Sequence, residues 1–194
     1  SMWNSINAQI EGDADISLSA GNTGVLFVIS KMILKMMNKV SRPALAGLWP
    51  SKKGMSVVLD LGANIECDEN NLVDFSEMGA ALFKSIFPNQ KPYVSLLNIG
   101  SEEIKGTEVL KKTYSKLKSL SNDKNFIFNG YIEGNKIMEG DSNVIVTDGF
   151  TGNIALKTGE GTATLVRALF KETFNRSLMA KIASLIAFNS LKNL

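Results

Sequence analysis

Histidine is absent from all 194 residues, and cysteine occurs once, at Cys67. Without histidine the chain supplies no Ser-His or Cys-His nucleophile pair, no histidine general base and no mixed Cys/His zinc site. One cysteine excludes an internal disulfide and a CxxC metal or redox motif, so a reducing compartment is expected rather than a secreted, disulfide-stapled fold. No metal site is expected. Proline numbers only four, and no proline-rich or low-complexity tract divides the chain. Long apolar runs are missing too: the most apolar stretch, 25–37, is interrupted by Lys31 and Lys35 and falls short of the roughly 20 residues that span a bilayer. The amino end, SMWNSINAQIEGDAD, lacks a basic start, an apolar run and a cleavage site, so no leader is expected there.

What is present is globular in composition. Hydrophobic residues make up 44% and charged residues 21%, which argues against disorder and fibrous repeats. The length suits one domain with an appendage, and the expected division is a core over 1–160 and helices over 161–194. A net charge of +2 gives no bulk attraction to nucleic acid, which is not an expected partner. Its distribution is uneven. Within 165–194, Arg167, Lys171, Arg176, Lys181 and Lys192 face a single acid, Glu172, a surplus of four positive charges on a body that is otherwise slightly acidic.

Along the chain, short β-rich runs alternate with helical stretches, and the runs end in polar turns containing glycine. Residues 14–19 (ADISLS) meet SAGNTG, and 25–38 show helical spacing at Leu26, Ile29, Ile33 and Met37. A short strand over 44–49 precedes a turn at 50–54, and the strand VVLDL (57–61) runs into GANIE. A helix over 72–87 is stopped by Pro88. VSLLNI (94–99) runs into GSEEIKG, followed by an amphipathic helix over 108–120 with its basic residues outward. Residues 126–128 meet the turn NGYIEG, and VIVT (144–147) meets DGFTGN before a helix over about 154–174. This alternation predicts the α/β class, with a mostly parallel sheet covered on both faces.

In open parallel sheets ligands lie outside the carboxyl ends of the strands. SAGNTG, DLGAN, NIGSEEIKG and VTDGFTGN each follow an expected strand and are expected to share one crevice. Their glycine, asparagine, threonine and serine residues, together with following helix N-termini, suit a phosphate or carboxylate. The same residues are also ordinary turn formers, and that reading stays open for each turn alone.

SAGNTG (19–24), LDLGAN (59–64), LLNIGSEEIKG (96–106) and VTDGFTGNIALKTGEG (146–161), in this order and spacing, resemble the PlsX-type phosphate acyltransferases of bacterial phospholipid synthesis. The resemblance runs through nearly the whole chain. It implies transfer of a fatty acyl group from acyl carrier protein to inorganic phosphate, giving acyl phosphate. It also implies a three-layer α/β/α fold similar to the isocitrate and isopropylmalate dehydrogenases, without a nucleotide cofactor. Neither a GxGxxG turn after a strand nor a GxxxxGK[ST] loop is present. Two other readings stand beside it: a non-catalytic carrier- or membrane-binding remnant, and phosphotransacetylase-like transfer from a coenzyme A thioester. Members of the family are longer and carry histidines in glycine-rich segments at both ends. The expectation is therefore a chain lacking both terminal segments, either a piece of the enzyme that is inactive alone or a functioning short homologue that uses only the four loops.

At the motif positions, the resemblance assigns catalysis to Lys105, Asn22 and Asn153. It assigns phosphate or substrate binding to Gly21, Thr23, Gly24, Asn64, Asn98, Gly100, Asp148, Gly149 and Gly152. Phosphate already carries the attacking oxygen, and a thiol of pKa about 8.5 is a good leaving group, so no enzyme nucleophile is required. Positioning and oxyanion stabilisation suffice, tasks suited to backbone N–H groups, Asn amides and a lysine. Lys105 also reads as a solvated loop lysine, and Asp148 as a turn-forming Asx residue. Glu102 and Glu103 read as exposed first-turn acids and Cys67 as an ordinary surface cysteine.

Near the carboxyl end, Leu178, Met179, Ile182, Leu185 and Ile186 fall on one helical face, with Lys181 and Lys192 elsewhere. This amphipathic helix pairs with the one before it. Its apolar face suits the core or a twin subunit. The family resemblance implies a homodimer whose helical tip touches an anionic membrane, so the expected location is cytoplasmic, against the inner face of the bacterial plasma membrane.

Overall fold

The structure, a computed structural model, describes residues 1–38, 40–120, 125–176, 179 and 182. Two compact units follow one another along the chain, 1–153 and 154–194. The first opens with the helices α1 (Met2–Glu11) and α2 (Thr23–Leu34), then β1 (Ala46–Ser51) and β2 (Gly54–Leu59). After α3 (Glu69–Ile86) come β3 (Tyr93–Asn98), α4 (Glu108–Leu120), β4 (Ile127–Glu133), a 3-10 turn at Gly134–Glu139, β5 (Val144–Val146) and the start of α5 (Gly149–Asn175). These strands build the expected α/β sheet, in the order β1-β2-β5-β3-β4, parallel at every junction except β1 with β2.

The central strands are apolar without alternation because both of their faces are covered. Val144, Ile145 and Val146 of β5 are wholly buried. α3 starts from a capping box, in which the Asp68 carboxylate accepts from the Asn71 N–H while the Asn71 side chain accepts from the Asp68 N–H. From there Leu72, Phe75, Gly79 and Phe83 recur at helical spacing and pack in one core with Val57, Leu59, Val94, Leu96, Val144 and Val146. Burial of Phe75 or Phe83 contributes about 1.5–3 kcal/mol each. The helix ends at Ile86, two residues ahead of Pro88. α4 holds its expected bounds and buries Thr113 and Leu117, leaving Lys112 and Lys118 in solvent.

Besides α5, which begins at Gly149 rather than near 154, four elements differ from expectation. The run 14–19 forms no strand: Ile16 and Leu18 are exposed, and the Ser17 hydroxyl donates to Ser5 O and contacts Gln9 Oε1, tethering the segment to α1. Alternating residues make a strand only where a neighbouring edge takes up their backbone groups. NGYIEG is not a chain reversal, because β4 continues through it. Gly130, at φ 77°, lies at a shift in register against β3, so the Asn-Gly pair marks a bulge. α2 stops at Leu34, where Lys35 takes φ 60°. The short strand expected over 44–49 is the first arm of a hairpin with β2, and Pro50 fits because β1 lies at the sheet edge.

Of the second unit, 154–176, 179 and 182 are described. Leu165, Val166, Leu169 and Phe170 of α5 are all exposed, and the Phe170 and Phe174 rings stack with centroids 6.1 Å apart. Met179 and Ile182 are exposed as well. Leu178, Leu185 and Ile186 lie outside the described residues. No described helix is long and apolar enough to cross a membrane.

Candidate active site

β2, β5 and β3 run side by side and parallel, so the loops leaving them, 60–64, 147–153 and 99–106, emerge at one edge of the sheet. The first two are locked together by a residue that the sequence reading passed over. Asp60 is 0% exposed. Its Oδ1 accepts from the Leu45, Gly62 and Ala63 N–H groups at 3.0, 3.2 and 2.9 Å, and its Oδ2 accepts from Asn64 N and Asn64 Nδ2, both at 2.7 Å. Five donors thus converge on one buried carboxylate and curl the chain into a tight turn. The clue was local: an aspartate followed by Gly-Ala-Asn invites the side chain to collect the next N–H groups.

Asn64 carries the turn onward. Its Nδ2 also donates to Pro43 O at 2.7 Å, and its carbonyl accepts from Gly149 N at 2.7 Å. Both amide protons of Asn64 are therefore committed inside the protein, and so is the Gly149 N–H. Gly152 is buried against the same turn, where a Cβ would run into the Asp60 carbonyl. Close approach of the α5 backbone to the Asp60 turn requires glycine here. Asp148 caps α5, accepting from Thr151 N at 2.8 Å and from Thr151 Oγ1 at 2.9 Å. Asn153, exposed one residue beyond Gly152, neighbours Gly62. Its amide makes no hydrogen bond among the described residues.

The loop after β3 closes on itself. Asn98 donates from Nδ2 to Lys105 O at 3.1 Å and accepts at Oδ1 from Ile99 N at 2.8 Å. Gly106, at φ 90°, comes so close to the Asn98 amide that a side chain there would displace it. Gly100 is buried beneath the Lys105 stem. Lys105 itself is exposed, and its ammonium joins no ion pair or hydrogen bond among the described residues. Glu103, by contrast, is held by Lys118 at 2.9 Å and by the Tyr114 hydroxyl at 2.8 Å, which lowers its pKa and keeps it charged.

The fourth turn starts α2 and follows no strand. Asn22 Oδ1 accepts from Val25 N at 3.0 Å, and Ser19 Oγ accepts from Gly21 N at 3.1 Å. Thr23 and Gly24, exposed in the first turn of the helix, keep backbone N–H groups unengaged among the described residues, with no acid in that turn to neutralise its positive end. Asn64, Asp148, Gly149, Gly152 and Asn153 are thus gathered around Asp60, and Asn98, Gly100 and Lys105 form the loop one strand over. Gly21, Asn22, Thr23 and Gly24 make a local cap.

Cys67 sits against the Asp60 turn, its Sγ 3.7 Å from Asn64 O. Burial, then the nearby charges of Asp60 and Asp148, push the thiol up to about 11. It is protonated at neutral pH and is no nucleophile. No three His, Cys, Asp or Glu residues among those described stand close enough to hold a metal ion.

Fold and site together define an α/β protein whose strand ends carry a rigid aspartate-centred turn and, among the described residues, an unpaired lysine and a free Asn153 amide. The whole chain, residues 1–194, matches the family described as "Fatty acid synthesis protein", and it belongs to that family. It is 57% identical over 192 residues to the "Phosphate acyltransferase" of Pelagibacter ubique (strain HTCC1062), a match covering 99% of this chain and 57% of that protein. It is 48% identical over 187 residues to the protein of that name from Brucella canis, covering 96% of this chain and 54% of that one. The chain thus spans about half the length of these relatives. Among solved structures it is similar to the EutD phosphotransacetylase from Staphylococcus aureus, with a TM-score of 0.62 at 18% identity, covering 84% of this chain and 56% of that one. A branched-chain phosphotransacylase from Enterococcus faecalis V583 gives a TM-score of 0.54 at 14% identity, over 81% of this chain and 62% of that one. At these identities the likeness is one of fold.

Proposed function

We propose that the chain carries the phosphate-handling crevice of an acyltransferase that moves a fatty acyl group from acyl carrier protein to inorganic phosphate. The carrying observation is the Lys105 ammonium, without a partner among the described residues, on the loop after β3 and next in the sheet to the β5 loop that packs on the Asp60 turn. A phosphate oxygen attacks the thioester carbonyl carbon; the new C–O bond forms, the C–S bond breaks, and the departing thiolate takes a proton from solvent. Lys105 balances the phosphate charge, while the Asn153 amide and the Thr23 and Gly24 N–H groups are donors for phosphate or the developing oxyanion. Asn64, Asn98 and Asp148 act as positioning residues, since their polar groups hold the loops. Cys67 takes no part.

The test is release of free carrier thiol from palmitoyl carrier protein, with matched formation of acyl phosphate. Lys105→Ala is expected to lower kcat/KM by about 10²–10³-fold, the loss typical of one charge-stabilising group. Asn22→Ala is expected to lower it by about fivefold through loss of the helix cap that aims Thr23 and Gly24, about 1 kcal/mol of positioning. A well-folded wild type that forms no product would leave the non-catalytic reading. Turnover of palmitoyl-coenzyme A in place of the carrier thioester would instead favour the phosphotransacetylase-like one.

We further propose that the second unit serves a homodimer and transient contact with an anionic membrane, placing the protein in the cytoplasm beside the inner face of the plasma membrane. The exposed Leu165, Leu169 and Phe170, together with the surplus of basic residues over 165–194, support this. Met179→Asp with Ile182→Asp is expected to abolish flotation with phosphatidylglycerol vesicles. Unchanged flotation by a folded double variant rejects the membrane role.

A further inference from the structure

Beside the crevice lies a groove of about 340 Å³ that the phosphate-handling loops leave unused. One wall is the face of α2 carrying Leu26, Phe27 and Leu34; the opposite wall is Met78 of α3. The connecting segment closes it with Met36 and Met37, so three methionines line a mostly apolar trough, side chains that adapt to flexible hydrocarbon. Its volume is at the small end of the roughly 300–1,000 Å³ range of ligand pockets.

Two features connect the groove to the reaction. Pro43, Ala44 and Leu45, which line it, are the residues that the crevice turn grips: Asn64 donates to Pro43 O, and Asp60 accepts from Leu45 N. Thr23, also in its lining, starts α2 at the loop with free N–H groups. The charge pattern points the same way. Lys31 and Lys35 are its charged lining residues, and no acid is among them. Lysine stems extend an apolar wall while their ammonium groups stay at its rim. An apolar trough with a cationic rim, sharing a wall with the crevice, matches a molecule with a hydrocarbon tail and an anionic head.

We infer that this groove holds the hydrocarbon chain of the acyl substrate and sets its length, an assignment that rests on the proposed phosphate acyltransfer. Ser30 and Met78 line the trough without belonging to the phosphate-handling loops, so substitutions there change its volume and leave those loops in place. The occupant is one acyl chain, whose carbonyl end reaches the Asp60 turn.

The test is calorimetric binding of butyl-, octyl- and dodecylphosphonate to the full chain, with inorganic phosphate as competitor. Affinity is expected to rise roughly threefold to fourfold for each methylene added until the groove is full, as burial of hydrocarbon dictates. Ser30→Trp is expected to flatten that rise beyond butyl while leaving butylphosphonate unaffected. Met78→Ala is expected to extend it to longer chains, so a filling and an enlarging variant report in opposite directions. Equal affinity for all three probes, displaced by phosphate, overturns the groove and leaves the phosphate site standing. A length dependence identical in wild type and both folded variants also overturns it and places the chain elsewhere, with a second copy of this protein as the groove's remaining occupant. Length-dependent binding that Ser30→Trp suppresses but phosphate does not displace keeps the groove and overturns the proposed phosphate site.

Discussion

Asp60→Ala is expected to destabilise the protein by about 3–5 kcal/mol, the scale on which removing one partner from a buried charged network acts. Five donors lose their acceptor, and the two supplied by Asn64 lose it inside the protein, where each buried unsatisfied group costs about 1–3 kcal/mol, less than additively. For a chain of this size the melting temperature falls by about 10 °C, measurable by calorimetry. Asp60→Asn separates charge from shape. Its remaining oxygen still serves one group of donors, but the new amide N–H points at donors on the other side. An intermediate loss is expected, with the proposed acyl transfer impaired even where the fold survives, because Pro43–Leu45 and the start of α5 both hang on this turn. A melting temperature within a degree or two of wild type for Asp60→Ala would show that the turn does not depend on the carboxylate.

The second large effect reverses sign along a single helix. Gly152→Ala is expected to destabilise by at least about 3 kcal/mol, the upper range for overpacking, because the intruding Cβ meets the backbone carbonyl of Asp60, which has no rotamer to escape into. The first turn of α5 must lift, and the Gly149 N–H bond to Asn64 breaks with it. Gly159→Ala, seven residues later in α5, meets nothing within 4 Å. There the usual helical preference applies, and alanine is expected to stabilise by up to about 1 kcal/mol. Thermal unfolding of the two variants side by side tests both. If both substitutions are neutral, α5 does not sit against the Asp60 turn as described.

Much of the fold follows from local pattern. The bounds of α4 and the runs at β2, β3 and β5 are legible because amphipathic spacing and continuous apolar residues report burial directly. The failures at 14–19 and at NGYIEG share a physical cause. Strand formation depends on a neighbour, and an Asn-Gly pair makes either a reversal or a bulge according to what lies across the sheet, which a linear reading does not see. At the site, the glycines and amides were visible as candidates, yet their division of labour was not. Asn64 looks like a ligand donor in sequence, but in the fold both of its amide protons are engaged by Asp60 and Pro43. Asp60, an acid in a crevice expected to take anions, does not stand out in the sequence because its role is to organise N–H groups rather than to meet a substrate.

The strand order has a consequence for how the chain comes into being. β5, only three residues long and the last in sequence of the described strands, lies between β2 and β3. A chain growing on the ribosome therefore reaches residue 143 with two half-sheets whose facing edges have no partner, a state open to misassociation. The sheet closes when Val144–Val146 emerges and threads the gap, joining segments separated by roughly half the chain. Loop-closure entropy makes such long-range pairing slow. The residues that follow at once, Thr147 to Asn153, are those that complete the crevice. Synthesis of the central strand and assembly of the site are thus a single event.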